Sequence, residues 1–276
     1  MIFLASITDT VVDGLKYPLN DVKKLLCFGS LFTIINIIVF AILEKSINVF
    51  RVFAKMPENL AFKFSHMPNN DIYIITGLII INLIILLIIM GYKYNVIELA
   101  INKKEDLPGF KDILNTFING IKYLFVVLFY NITPISVFII GLETLNFKNA
   151  DYIVSLISLA LFVVFNFFLV MALANMVDAN KFVKAFNIRE IINKIANLGW
   201  IKYIGIILFA FIVYSIIMVA INAIMMFILA ILAININNAM IITVIMSIIE
   251  GLLISSYIAI FFNRVFGSIY REATKY

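Results

Sequence analysis

A single carboxylate, Glu250, lies near the middle of an apolar run, residues 239–263, that is long enough to cross a bilayer. A charge at that depth costs about 3 kcal/mol on insertion scales. A carboxyl group there is expected to be protonated and hydrogen-bonded, or to face a wet cavity. At about 100° per residue, Thr243, Ser247, Ile254 and Tyr257 fall on its side of the helix. Thr243, Ser247, Glu250 and Tyr257 then form a polar stripe on an otherwise apolar rod. No Lys or Arg lies at matched depth in any apolar run, so no salt bridge is available. Two roles fit the stripe. One is proton or cation handling; the other is an interhelical hydrogen bond that fastens the helix to a partner.

Other polar residues interrupt apolar runs. Asn131, Thr133 and Pro134 stand together. Pro134 cannot donate to the Tyr130 carbonyl, so a kink is expected, with Asn131 or Thr133 satisfying the freed group. Asn166 and Asn222 are further intramembrane amides, and either could meet Glu250 across a bundle. Asn95, Asn175 and Asn263 end apolar runs and are expected to cap helices.

Enzymatic chemistry is not indicated. No P-loop, GxSxG, HExxH or CxxC occurs, and no nucleophile stands beside a base. One cysteine, Cys27, allows no internal disulfide and reads as a small buried hydrophobe. With one histidine, His66, in a loop, a Cys/His zinc site is excluded within one chain. Glu105, Asp106 and Asp178 read as solvated carboxylates. No metal and no cofactor is expected.

These residues must be positioned by membrane helices. Of 276 residues, 64% are hydrophobic and 13% charged, against about half and a quarter in soluble domains. Six stretches are long enough to span: roughly 25–43, 72–92, 121–142, 152–176, 203–233 and 239–263. The fifth carries no charge from Tyr203 to Ala233, a helix of about 45 Å that must tilt, protrude or break, with Asn222 the candidate break. The chain start has no basic region followed by a long apolar core, so the first span reads as an uncleaved signal anchor.

Sixteen Lys and Arg fall on the side of the two termini and five on the other. The positive-inside rule therefore puts both termini in the cytoplasm of a multi-pass cell-membrane protein. The net charge of +5 reflects this orientation and not a nucleic-acid partner.

Amphipathic stretches precede three of the spans. In 110–121, Phe110, Ile113, Leu114, Phe117, Ile118 and Ile121 share one face; in 188–198, Ile188, Ile191, Ile192, Ile195 and Leu198 do. Ile7, Val11, Val12 and Leu15 make a weaker copy. Such helices are expected to lie in the headgroup layer with anionic lipids as partners. Each copy ends in Lys-Tyr: Lys16-Tyr17, Lys122-Tyr123, and Lys202-Tyr203 just after Trp200. These seven residues read as interfacial anchors. Several of these features recur 78 to 80 positions apart, so the fold is expected to be an all-α integral membrane domain over 1–276. It comprises six helices in three hairpin repeats (about 6–98, 106–180 and 186–270), each led by a cytoplasmic interfacial amphipathic helix. The outer loop, about 44–71, reads as a further surface-lying amphipathic segment, with Val49, Phe50, Val52, Phe53, Leu60, Phe62 and Phe64 on its apolar side.

Two groups of motifs carry a family resemblance. One is Gly91-Tyr92-Lys93-Tyr94-Asn95-Val96-Ile97, followed by Asp106-Leu107-Pro108-Gly109-Phe110-Lys111-Asp112 and Asn119-Gly120-Ile121-Lys122. The other is the opening Lys16-Tyr17-Pro18 with Asp21 and Lys23-Lys24-Leu25-Leu26. Together they resemble DUF4013, an archaeal multi-pass membrane family catalogued as a domain of unknown function. Gly109 departs from the acidic residue expected there. The resemblance implies archaeal origin and a six-helix fold, and lends no catalytic residue. The function expected is that of a membrane scaffold or complex partner, engaging lipid headgroups and a membrane-protein partner. The alternative is a small proton- or cation-coupled transporter or channel-like protein using Glu250.

Overall fold

Long apolar runs can satisfy their peptide groups in hydrocarbon only as helix. The computed structural model describes residues 2–55, 69–145, 149–236 and 238–275, and every regular element among them is helical. Helix α1 (Ile2–Lys16) passes through a 3-10 turn (Tyr17–Asp21) with Pro18 near its start into α2 (Val22–Lys55). Then come α3 (Asn69–Ile101), α4 (Ile113–Thr144) and α5 (Ala150–Ala179). A 3-10 turn (Phe182–Phe186) leads to α6 (Ile188–Leu198) and α7 (Trp200–Asn235). Helix α8 (Ala239–Ile249) continues through a π-helical segment (Glu250–Ser255) into α9 (Ser256–Ala273). Among the described residues six helices are long and apolar enough to cross a membrane, and each overlaps one of the six expected stretches.

The bounds correct several expectations. Helix α7 runs unbroken for 36 residues. Asn222 does not interrupt it, because its Nδ2 donates to the Met218 carbonyl of the same helix at 2.8 Å. The stretch 110–121 is not a separate helix. Asp112 accepts from the Asn115 amide and starts α4, which runs unbroken past Gly120 to Thr144. Residues 188–198 do form a separate helix, ended by Gly199 at φ 91°, a conformation that favours glycine. Helix α2 extends to Lys55 and carries Val49, Phe50, Val52 and Phe53, so that part of the outer loop is helical. His66, Leu60, Phe62 and Phe64 lie outside the described residues. Cys27 is exposed and not buried, since a helix apolar all round gives no sign of which face meets protein.

Around the bundle α2 packs on α3, α3 on α4 and α4 on α5. The π segment and α8 pack on α2, while α7 touches α1, α6, α8 and α9. Helix α9 also lies against α3 and α5, which puts it at the centre. Helices α5 and α7 do not pack along one another. Two crossings depend on glycine. A Cβ on Gly91 would lie 1.7 Å from the Thr116 carbonyl oxygen, and one on Gly120 would lie 1.8 Å from that of Leu87. Gly29 and Gly251 play the same part between α2 and the π segment. Lipid tails are as apolar as leucine, so backbone approach through small residues replaces hydrophobic drive.

Candidate functional site

Glu250 opens the π segment. Its side chain is exposed on the outside of the bundle, and no hydrogen bond among the described residues reaches it. The expected stripe is split here. A π turn holds more residues than an α turn, so the residues beyond it are rotated out of α-helical phase. Ile254 and Tyr257 line an apolar cleft of about 420 Å³ shared with α7, and Glu250 does not. Tyr257 donates to the Leu15 carbonyl at 2.7 Å. Thr243 and Ser247 lie on α8, both half-buried. On the other side of the segment, Gly251 meets Thr33 of α2. One turn further along α2, the buried Nδ2 of Asn36 has no partner among the described residues. Sequence reasoning passes over Asn36, whose signal is an amide inside an apolar run.

The other intramembrane amides pair away from Glu250. Asn166 Nδ2 donates to Asn131 Oδ1 at 3.1 Å, joining α5 to α4. Asn131 Nδ2 donates to the Val127 carbonyl, not to the Tyr130 carbonyl freed by Pro134. The three amides expected to cap helix ends lie inside α3, α5 and α9, and they are links and not caps. Asn95 donates to Thr116, Asn175 to the Lys184 carbonyl, and Asn263 accepts from Tyr123. Caps are instead supplied by Asp112, Asn187 and Asn238 at helix starts and by Asn180, in a left-handed conformation, at the end of α5.

The most built polar region lies at the end that carries both termini. Four successive carbonyls of the α3–α4 loop each accept a side chain. Arg264 bonds Lys104, Asn20 bonds Glu105, Tyr17 bonds Asp106 and Lys24 bonds Leu107, at 2.6–3.2 Å. The buried Arg264 also grips Asp13 at 2.8 Å and lies 4.1 Å above the Tyr17 ring. Arg271, seven residues on, donates to the Ala100 carbonyl. The two arginines thus place positive charge at the C-terminal end of α3. Phe28, Tyr92 and Phe110 stack in sequence behind the loop.

The expected anchors divide. Tyr17, Tyr123 and Tyr203 are enclosed by protein, their hydroxyls donating to the carbonyl of Asp106, Asn263 Oδ1 and the carbonyl of Phe167. Lys202 pairs with Glu272 at 2.7 Å, and Lys122 donates to Asn119. Lys16 and Trp200 are exposed.

Two further features sit at this end. Asn95, Asn115, Asn119, Asn180, Glu98 and Lys122 help line a polar groove of about 520 Å³. Helix α6 is held by a network in which Lys184 pairs with Glu190 at 2.6 Å, and Tyr270 bridges Asn175, Asp178 and Lys194. The hydrogen bond from Lys184 holds the Glu190 carboxyl below its ordinary range. Burial pushes the Lys194 ammonium down, against the pull of Asp178 and Glu190. Among the described residues, no three His, Cys, Asp or Glu are grouped to hold a metal ion.

Six membrane-length helices tied together at one end define a polytopic, membrane-embedded helical protein. The family model described as "Protein of unknown function (DUF4013)" matches residues 74–226, and the chain belongs to that family. The match takes in the 91–97 and 106–112 motifs and leaves out the opening one, which meets residues 105–107 in space. No curated protein and no solved structure matches the chain.

Proposed function

We propose that this protein is a membrane scaffold or complex partner whose last span docks on a helix of another membrane protein. The carrying observation is the exposed side chain of Glu250 within the sixth apolar helix, Met240–Ala273, without a partner among the described residues of its own chain. Carboxylates within spans almost always face a bundle interior or a wet cavity, so a helix offering a hydrogen-bond donor would complete this one. Basic residues at the terminal end supply the second contact. Lys16, Lys23, Lys103, Lys111, Lys181 and Arg189 are exposed there and fit anionic headgroups. The same residues support cytoplasmic termini, which reporter fusions at both ends would check. The succession of neighbours α2 to α5 in chain order supports the three-hairpin arrangement, with α6 as its best-separated interfacial helix. Archaeal origin, which the family resemblance implies, belongs to the same reading.

The alternative, proton- or cation-coupled transport through Glu250, needs a polar cavity that reaches that carboxylate. The cleft beside it is lined by apolar side chains apart from the tip of Tyr257.

A photocrosslinker at Leu253, exposed near Glu250, tests the docking in native membranes. Crosslinking to one distinct membrane protein, retained in Glu250→Gln and lost in Glu250→Leu, is expected. Adducts to lipid alone, or a pattern indifferent to Glu250→Leu, would sink the reading. Adducts only between copies of this chain would replace the foreign partner with self-association.

A further inference from the structure

Helices α5 and α7 are joined at their base and parted above it. At the base, the Tyr203 hydroxyl donates to the Phe167 carbonyl, and Trp200 meets Phe168 edge-on at 6.5 Å. Beside that tie the helices frame a cavity of about 350 Å³, lined by α5 from Leu159 to Leu173 and by Ile207 and Phe211 of α7, with Tyr123 of α4 and Phe266 of α9 at its back. Phe162 and Val163 of α5 and Phe211 of α7, all on its walls, are about half exposed, so the cavity opens sideways. We infer that this cavity binds one hydrocarbon chain of a bilayer lipid, with the lipid's headgroup at the level of Trp200.

Three observations commit the cavity to that occupant. The first is depth. Ile207 and Phe211 stand about 10 to 16 Å along α7 from Trp200, in the acyl region of the leaflet at the terminal end. The second is dryness. A buried water needs two to four polar partners. Tyr123 already donates to Asn263, and both bonds from the Asn166 amide nitrogen are made, to Asn131 and to the Phe162 carbonyl. Only acceptors remain, the Asn166 side-chain oxygen and the Tyr123 hydroxyl oxygen, with no side-chain donor left for a water's own oxygen. The third is volume. The cavity falls within the range of ligand pockets, about 300–1,000 Å³, and an empty space that size would forfeit the dispersion contacts of its whole lining. A solvent of lipid tails fills it at once. A polar solute has no counterpart in its walls.

The proposal is independent of docking at Glu250, which does not line this cavity. Native mass spectrometry of the full chain, stripped of annular lipid by detergent exchange, is the first test. One retained phospholipid per protomer is expected, and Val163→Trp, which fills the cavity, should lose it while the protein stays folded. Equal retention by the two proteins would overturn the inference. If Val163→Trp does not fold, wild-type protein in vesicles containing a phospholipid with a diazirine-bearing acyl chain decides the matter. Adducts concentrated on Phe162, Val163 and Phe211 support the site. Labelling spread evenly onto the open face of α7, at Ile216 and Val219, refutes it.

Discussion

The seam between α3 and α4 and the seam between α5 and α7 are extremes of packing in one bundle. At the first, glycines on both helices let backbones touch, and the adjoining loop is held carbonyl by carbonyl. At the second, one tyrosine hydroxyl ties the base, and bulky Phe162, Ile207 and Phe211 face a gap. The first seam also carries hydrogen bonds from Asn95 to Thr116 and from Asn119 to Asn95, while apolar side chains are plentiful at both, so hydrophobicity alone does not separate them. In a bilayer, packing is won by small residues and by hydrogen bonds between helices. Where both are missing, lipid is as good a neighbour as protein.

The comparison breaks most sharply at Gly120. Gly120→Val would drive side-chain carbon into the Leu87 carbonyl, so α3 and α4 must separate. A loss of about 3 kcal/mol or more is expected, read as loss of the folded protein on size exclusion in detergent. Ile207→Phe at the open seam, a comparable enlargement, should leave the folded yield unchanged. Similar behaviour of the two variants would mean that the seams do not differ as described.

Arg264→Met comes next. It strips Asp13 of its main partner and leaves the Lys104 carbonyl without its donor. Removing one member of a pair buried on one side is expected to destabilise by about 3 kcal/mol, measured by unfolding in mixed micelles. Unchanged stability would show that the clasp at the α3–α4 loop is incidental to the tight seam.

The sequence makes these two regions unequally legible. Six spans, their order and the polar Lys-Tyr steps can be read directly, because hydropathy and length have few solutions in a membrane. The clasp can be seen only as two separate motifs, Lys16-Tyr17-Pro18 and Asp106-Leu107-Pro108, since no local pattern reports a contact across 89 positions. Arg264 and Arg271 read as rim charges because a positive count cannot tell a solvated cation from one bound to a helix end. Glu250 lies within the sixth long apolar helix, but its stripe assumes a regular α-helix, and the π segment undoes the phase. Which face of a uniformly apolar helix meets protein is beyond pattern reading, as Cys27 and the α5–α7 gap both illustrate.

Asn166→Leu probes the middle ground between the seams. It removes the bond to Asn131, the polar tie between α4 and α5 at mid-span. Interhelical bonds of this kind average about 0.6 kcal/mol, so a small loss of stability is expected. The change also removes the amide from the wall of the α5–α7 cavity, which should leave lipid retention intact. A large destabilisation would give the amide pair a weight closer to that of the glycine crossing.

The smallest effect concerns α6, which spans neither seam and is fastened near the base of the open one. Glu190 has a folded-state pKa below its ordinary value, about 4.3, because Lys184 donates to its carboxylate. The stabilisation is therefore complete above that ordinary value and is lost as pH falls through the lower, folded one. Lys194 works in the opposite sense at the alkaline end. Its depressed pKa means that the folded state sheds a proton first, so its contribution rises with pH above that point. The protection of the α6 amides against hydrogen exchange, taken relative to the intrinsic rate at each pH, should accordingly fall on acidification below about pH 4.3, with a weaker response in Glu190→Gln. Protection that is flat across this range would mean that α6 is held by Ile191, Ile195 and Leu198 alone. The ion pair would then be an ornament of the surface, and the base of the open seam would depend on packing and on the Tyr203 hydroxyl.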